Sequence, residues 1–118
     1  MTAALPATTS RKAIRGVMRG TIGFDGLIMS DDLSMKALSG DFAERAHASL
    51  AAGCDVVLHC NGDMAEMKAV MDGCRPLAGR AKARAAQALG RLAKTPEPFD
   101  AAEARARFDA AFDGQWAA

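Results

Sequence analysis

The sequence predicts an α/β fold built around two parallel strands. Two short segments, residues 27–29 and 56–58, are wholly apolar, which is typical of strands buried on both faces. A helical pattern lies between them, and the interval from residue 27 to residue 56 is about the length of one β-α-β unit. Both segments end abruptly in polar residues, as strands do where they leave a sheet for solvent.

The segment before the first strand is predicted to form a helix. Residues 8–10 supply hydroxyl caps, Ile14, Val17 and Met18 then recur at helical spacing, and Gly20 ends the pattern. Residues 23–26 follow as a turn that leads into the first strand.

Two further helices flank the second strand. Asp41 is predicted to cap the first of them, whose apolar face contains Phe42, Ala46 and Leu50 and which Gly53 closes. The next helix is predicted to start at Asp63, with Glu66 at the spacing of a capping box. We expect that helix to bury four apolar side chains: Met64, Met67, Val70 and Met71.

The rest of the chain is predicted to be helical and peripheral. Helices are expected over residues 76–94 and 100–112, separated by a proline-containing break at residues 95–98. Asp100 and Glu103 have capping-box spacing, and Phe108 and Phe112 lie one turn apart. We expect the two phenylalanines to pack onto the body of the protein rather than to bind a partner.

Composition and charge exclude several functional classes. There are 15 basic and 14 acidic residues, so the near-zero net charge does not favour a nucleic-acid partner. The basic helix of residues 80–84, which contains no aromatic residue, is expected to be a solvated face. No apolar run is long enough to span a membrane, and the glycine spacings match no nucleotide-cofactor motif. We therefore expect no nucleic acid, no membrane and no cofactor.

The cysteines indicate the redox environment. The chain contains three of them, Cys54, Cys60 and Cys74, and no C-x-x-C pair. We interpret them as buried thiols in a reducing compartment, and not as a disulfide framework or a metal site.

Two strands alone do not make a stable sheet, because both of its edges remain open. A third strand could lie only in residues 1–7, where Pro6 argues against it. The chain is therefore expected to be part of a larger α/β architecture, either as a fragment or with its missing strands supplied by another chain. Self-association through the exposed strand edges is also expected.

The most informative chemistry lies where the first strand ends. Asp31 and Asp32 follow Ser30 at the carboxyl end of that strand, the end at which α/β sheets and barrels bind ligands, so one of them could face a cleft. The alternative is that they cap the following helix or pair with an Arg or Lys. His59 leaves the second strand at the same end and could line the same pocket, or could be a structural histidine whose ring nitrogens are hydrogen-bonded. His47 is expected to be a surface or packing residue, and Cys60 is not expected to be catalytic.

Residues 22–35, with the sequence IGFDGLIMSDDLSM, resemble the nucleophile segment of family 3 glycoside hydrolases. The closest resemblance is to the bacterial β-N-acetylhexosaminidases that recycle peptidoglycan. Residues 41–45 and 52–61 are similar to the helix and the next strand of those proteins, and residues 6–10 match the segment before the preceding helix.

The resemblance implies a fold and a reaction. Residues 1–94 would form the C-terminal part of a (β/α)8 barrel, about its last two strands with their helices, and residues 95–118 a helical tail that packs on the barrel. Asp31 would be the nucleophile of a retaining β-N-acetylhexosaminidase that removes N-acetylglucosamine from peptidoglycan-derived muropeptides in the cytoplasm, through a covalent glycosyl-enzyme. Asp32 would have no catalytic role, and His59 would lie at most at the rim of the site.

The family's acid/base and sugar-binding residues would precede this chain, which would begin where the barrel is three-quarters complete. We therefore expect the 118-residue chain alone not to hydrolyse an aryl N-acetylglucosaminide. The alternative is a catalytically inactive fragment that acts only as an assembly or binding partner.

Overall fold

The computed structural model describes residues 5–93, 95–96 and 98–112. The two strands are β1 (Met29–Asp32) and β2 (Val56–Leu58), and they pair in parallel. The α-helices are α1 (Phe42–Ala52), α2 (Met64–Asp72), α3 (Gly79–Gly90) and α4 (Ala101–Ala111). A 3-10 turn (Ala7–Thr9) and a π-helix (Lys12–Thr21) precede β1, and a second 3-10 turn (Arg91–Ala93) follows α3. The predicted α/β class and the β1-α1-β2 unit are therefore confirmed.

The first strand begins later than the sequence predicts. β1 starts at Met29, and the polar residues expected to end the strand form most of it. Ile28 is buried just before β1, and its carbonyl oxygen accepts the N–H groups of Asp55 at 2.8 Å and Val56 at 3.3 Å. Apolar residues mark where a segment is buried, whereas strand pairing depends on backbone contacts with the partner, so the predicted boundary was wrong by two residues.

Helix α1 lies at the centre of the packing. Asp41 and Glu44 form a complete capping box at its start, and Gly53 ends it with a φ of 125°, a conformation that residues with a Cβ rarely adopt. Ala46 on α1 belongs to one buried cluster and Ala52 to another. The first cluster also contains Leu33, Leu38 and Val70, and the second contains Ile14, Ile28 and Cys54. The predicted capping, apolar face and end of this helix are confirmed.

The N-terminal helix is a π-helix rather than an α-helix. The N–H of Ile22 donates to the carbonyl oxygen of Val17 at 2.9 Å, five residues back, and the helix continues to Thr21. Ile14 is buried, whereas Val17 is 46% exposed. The wider turn of a π-helix rotates successive side chains away from the positions that α-helical spacing predicts.

Helix α2 starts at the predicted cap, where Asp63 accepts the N–H groups of Ala65 and Glu66. Val70 is buried, but the prediction that three methionines are buried was wrong: Met64, Met67 and Met71 are 61%, 43% and 68% exposed. One face of α2 packs closely on α1, and a Cβ added at Gly73 would lie 2.0 Å from the carbonyl oxygen of Ala43. The methionines occupy another face, which no described element covers.

The C-terminal helices are shorter than predicted. α3 begins at Gly79 rather than at residue 76, and α4 is capped by Asp100 as expected. Phe108 and Phe112 contact each other, with ring centroids 4.8 Å apart, and are 58% and 40% exposed. Packing of residues 95–118 on a complete barrel stays a prediction. The parts of these predictions that concern residues 1–4, Lys94, Glu97 and residues 113–118 lie outside the described residues.

Candidate functional site

Asp31 lies at the carboxyl end of β1, where the sequence predicts it, and it is exposed. Its Oδ1 accepts the backbone N–H of Asp32 at 2.8 Å. Among the described residues it forms no ion pair with an Arg or Lys, so that alternative does not apply to Asp31. One carboxylate oxygen is thus oriented by the backbone, and the group faces solvent at the end of a strand.

A β-bulge places Asp31 in this position. Met29 is opposite Val56 and Asp32 is opposite Leu58, so three steps along β1 match only two along β2. The extra residue interrupts the alternation of side chains and redirects the end of the strand, a feature common beside active sites. Nothing in the residue pattern of β1 predicted this bulge.

Inside the bulge, the side-chain hydroxyl of Ser30 accepts a hydrogen bond that a backbone carbonyl would accept in a regular ladder. Its side chain is buried, and its Oγ accepts the N–H of Leu58 at 2.9 Å while donating to the carbonyl oxygen of Asp31 at 2.7 Å. Pairing resumes beyond the bulge, where the N–H of Leu33 donates to the carbonyl oxygen of Leu58 at 2.9 Å. The backbone of Asp31 is therefore held on both sides of the bulge by contacts with β2.

Asp32 is turned toward the end of β2 rather than toward solvent. Its Oδ1 accepts the N–H groups of Ser34 at 3.0 Å and Cys60 at 3.1 Å, and its Oδ2 accepts the hydroxyl of Ser34. These hydrogen bonds, chiefly the one from the Ser34 hydroxyl, hold the pKa of Asp32 below its ordinary value. Asp32 therefore connects the exits of the two strands.

His59 is a buried neighbour of Asp32. Its side chain is 6% exposed and packs edge-on against Phe42, with ring centroids 5.0 Å apart. Nε2 lies 3.2 Å from Oε2 of Glu66 and Nδ1 lies 3.9 Å from Oδ1 of Asp32, although neither nitrogen makes a well-aligned hydrogen bond. Burial agrees with a structural histidine, but the predicted satisfaction of its ring nitrogens is not found among the described residues. Glu66 also lies at this strand exit, where its Oε2 accepts a hydrogen bond from Nδ2–H of Asn61 at 3.0 Å.

The three cysteines are free thiols, but they do not share one environment. Cys54 is buried, Cys74 is half-buried and Cys60 is exposed, so the prediction of three buried thiols was wrong for Cys60. Burial raises the pKa values of the Cys54 and Cys74 thiols. Cys60 lies on the short segment after β2, where its N–H contacts Asp32 but its side chain faces solvent.

A second charged cluster lies at the opposite, amino-terminal end of the strands, and the sequence analysis missed it. The side chain of Asp55 is 5% exposed; its Oδ2 contacts Arg19 at 2.6 Å and accepts the N–H of Ile28 at 2.9 Å, while its Oδ1 contacts Arg84 at 3.1 Å. Arg84 also contacts Asp25 at 2.5 Å and is 14% exposed, so the interpretation of residues 80–84 as a solvated face was wrong for Arg84. This cluster connects the π-helix, both strand starts and α3.

The described residues line open cavities of about 840, 620 and 430 Å³, and Asp31 lines none of these three. That Asp31 faces a cleft stays a prediction. Within the described part of the chain, no group of three or more His, Cys, Asp or Glu side chains could hold a metal ion. No described helix is long and apolar enough to cross a membrane.

Comparison with known proteins identifies the family. The model of the glycosyl hydrolase family 3 N terminal domain matches residues 1–94. The chain belongs to glycosyl hydrolase family 3. Family 3 membership confirms the resemblance of residues 22–35, and the segment that matches includes both strands and Asp31.

Curated relatives carry the name beta-hexosaminidase. The chain is 48% identical over 80 residues to the protein from Tolumonas auensis, an alignment that covers 65% of this chain and 24% of the relative. It is 50% identical over 58 residues to the Bordetella avium protein and 52% identical over 59 residues to the Thioalkalivibrio sulfidiphilus protein, each covering 48% of this chain and 17% of the relative. The chain thus spans less than a quarter of the length of these relatives.

Proposed function

We propose that this chain supplies the nucleophile segment of a retaining β-N-acetylhexosaminidase, with Asp31 as the nucleophile. The substrate class is a terminal N-acetylglucosamine of peptidoglycan-derived muropeptides, and the reaction takes place in the cytoplasm. The observation that carries the proposal is the position of Asp31: it is exposed at the carboxyl end of a strand, on a bulge that Ser30 fixes to β2. Family membership and the name of the relatives support the activity.

The chemistry requires an ionised carboxylate held on a rigid backbone. Oδ1 of Asp31 accepts the N–H of Asp32, which leaves Oδ2 as the atom that attacks the anomeric carbon. As the new carbon–oxygen bond forms, the glycosidic bond breaks and the departing oxygen takes a proton from a general acid outside this segment. Water then attacks the anomeric carbon, gives up a proton, and releases the sugar and the Asp31 carboxylate.

The proposed architecture is the C-terminal part of a (β/α)8 barrel. In such a barrel the reacting groups lie at the carboxyl ends of the strands, which is where Asp31 and Asp32 lie in β1. Further strands beside β1 and β2 would form the missing walls of a cleft over Asp31 and would cover the two open strand edges.

A chimera tests this function. In the Tolumonas auensis relative, the segment that aligns with this chain is replaced by the corresponding residues of this chain. Hydrolysis of an aryl N-acetylglucosaminide by the chimera is then measured. We expect activity in the chimera and a loss of about a thousandfold or more in Asp31→Asn. Asp32→Asn is the matched control, since it removes the adjacent charge while keeping one oxygen to accept the N–H groups of Ser34 and Cys60, and we expect it to retain most of the activity.

Comparable losses in both variants would contradict a special role for Asp31. An inactive chimera that folds cooperatively would favour the alternative of a catalytically inactive assembly or binding partner. We expect no hydrolysis by the 118 residues alone, because the resemblance implies that the proton donor and the sugar contacts come from outside this segment.

A further inference from the structure

The largest of the three cavities lies at the amino-terminal end of the strands, away from Asp31. This amino-end cavity has a volume of about 840 Å³ and is bounded by the π-helix, the turn before β1, the start of β2 and the first turn of α3. Five arginines line it: Arg15, Arg19, Arg75, Arg80 and Arg84. A volume of this size is within the range of small-molecule sites, about 300–1,000 Å³.

Positive charge exceeds negative charge in the amino-end cavity. Among the described residues, Asp25 and Asp55 are the only acidic ones that line it, against five arginines. Three arginines share these two carboxylates, since Arg19 and Arg84 contact Asp55 while Arg80 and Arg84 contact Asp25. The lining therefore has two carboxylates for five guanidinium groups, and their mutual repulsion is only partly compensated.

Two of the arginines have no carboxylate partner among the described residues. Arg75 donates to the carbonyl oxygen of Leu50 at 3.3 Å, a neutral acceptor, and no ion pair involves Arg15. These two arginines come from separate elements, the π-helix and the segment before α3, yet they line the same cavity. Ala78 makes no side-chain capping hydrogen bond at the start of α3, so its first turn adds to the positive potential.

We propose that the amino-end cavity binds a small phosphate-bearing anion. Guanidinium groups match phosphate oxygens in pairs of parallel hydrogen bonds, and a dianion would compensate most of the excess charge. A single carboxylate would compensate less of it. The Arg19–Asp55–Arg84 cluster forms a fixed wall of the site, while Arg15, Arg75 and Arg80 are the groups available to the ligand. The site is separate from Asp31 and does not depend on the proposed glycosidase activity.

Titration of the 118-residue chain with inorganic phosphate tests the proposal, followed by NMR amide shifts or calorimetry. Ionic strength is held constant with sodium chloride, because exposed charges are screened by salt. We expect saturable binding with a dissociation constant of about 1 mM or tighter. The shifts should be concentrated in residues 75–81 and around Arg15.

Variants distinguish phosphate binding at a specific site from a general effect of positive charge on binding. Arg80 is 80% exposed, so Arg80→Gln should leave the fold intact, and we expect it and Arg75→Gln each to weaken phosphate binding about tenfold. Arg107→Gln is the matched control, because it makes the same charge change at an exposed position of α4 outside the cavity. Absence of saturable binding, or an equal loss in Arg107→Gln and Arg80→Gln, would overturn the proposal.

Discussion

The hydroxyl of Ser30 accepts the N–H of Leu58 at 2.9 Å, in the place where a backbone carbonyl would act in a regular parallel ladder. This contact allows β1 to contain one more residue than the facing part of β2 and still remain paired with it. The extra residue presents Asp31 to solvent and turns Asp32 toward the end of β2. A single buried hydroxyl therefore holds two adjacent carboxylates in different surroundings, one exposed to solvent and the other hydrogen-bonded at the end of β2.

Ser30→Ala should destabilise the protein, because it leaves the N–H of Leu58 without its acceptor inside the packed sheet. We expect a loss of about 1–3 kcal/mol in the free energy of unfolding, measured by urea denaturation. Ser39→Ala is the matched control at an exposed loop position and should change stability by less than about 0.5 kcal/mol. Equal effects of the two substitutions would show that the hydroxyl contact does not support the bulge.

Asp55→Ala should lower the free energy of unfolding more than Ser30→Ala does. It removes the buried carboxylate that joins Arg19, Arg84 and the N–H of Ile28, and it leaves two guanidinium groups without that partner. Breaking a buried ion pair from one side costs about 3–5 kcal/mol, which could unfold so small a chain. Circular dichroism and thermal unfolding measure the effect.

Asp72→Ala serves as the control for Asp55→Ala, since Asp72 is an exposed carboxylate at the end of α2. A stable Asp55→Ala variant would contradict a structural role for the charged cluster at the amino-terminal end of the strands.

Much of the fold could be predicted from local patterns. Asp41, Asp63 and Asp100 cap helices as their spacing indicates, and the apolar segment at 56–58 forms β2. Local chemistry determines these features, so the sequence contains them without long-range information. The position of Asp31 at a strand exit follows from the same reasoning.

The features that could not be predicted depend on residues far apart in the sequence. Arg19 and Asp55 meet across 36 positions, and the bulge at Ser30 depends on the register between β1 and β2. The exposed methionines of α2 show a different limit, because helical spacing identifies an apolar face but not what covers it. In the proposed barrel, that face would pack against further elements.

The stability of the protein should fall as the pH decreases below about 5. Hydrogen bonds from Ser34 hold the pKa of Asp32 below its ordinary value of 3.8, and contacts with Arg84 do the same for Asp25. A carboxylate whose pKa is lower in the folded state stabilises the protein above the unfolded pKa, and this contribution disappears as the pH falls through the folded pKa.

Asp32→Asn should therefore show a shallower loss of stability between about pH 5 and pH 2 than the unmodified protein. Ser34→Ala should also reduce the slope, because it removes the hydroxyl that lowers the pKa of Asp32. Denaturant unfolding at a series of pH values measures both. Parallel curves for all three proteins would show that the Asp32 contacts make no pH-dependent contribution.

Cys60 should react with a maleimide well before the other two thiols. It is exposed, whereas burial limits access to Cys54 and raises the pKa values of Cys54 and Cys74, which lowers their thiolate fractions at neutral pH. Mass spectrometry of the intact protein should show the rapid addition of one maleimide, followed by slower additions. Cys60→Ser should abolish the rapid addition, and its persistence would place a second thiol at the surface.

The most direct test of the account is covalent labelling of Asp31 by a mechanism-based fluorosugar of N-acetylglucosamine, in the active chimera with the Tolumonas auensis relative. Such a reagent forms the glycosyl-enzyme but releases it slowly, so peptide mass spectrometry identifies the residue that attacks the sugar. We predict one sugar per chain on the peptide that contains Asp31, and no label in Asp31→Asn. A label on any other residue, or unchanged labelling in Asp31→Asn, would contradict the assignment of Asp31 as the nucleophile.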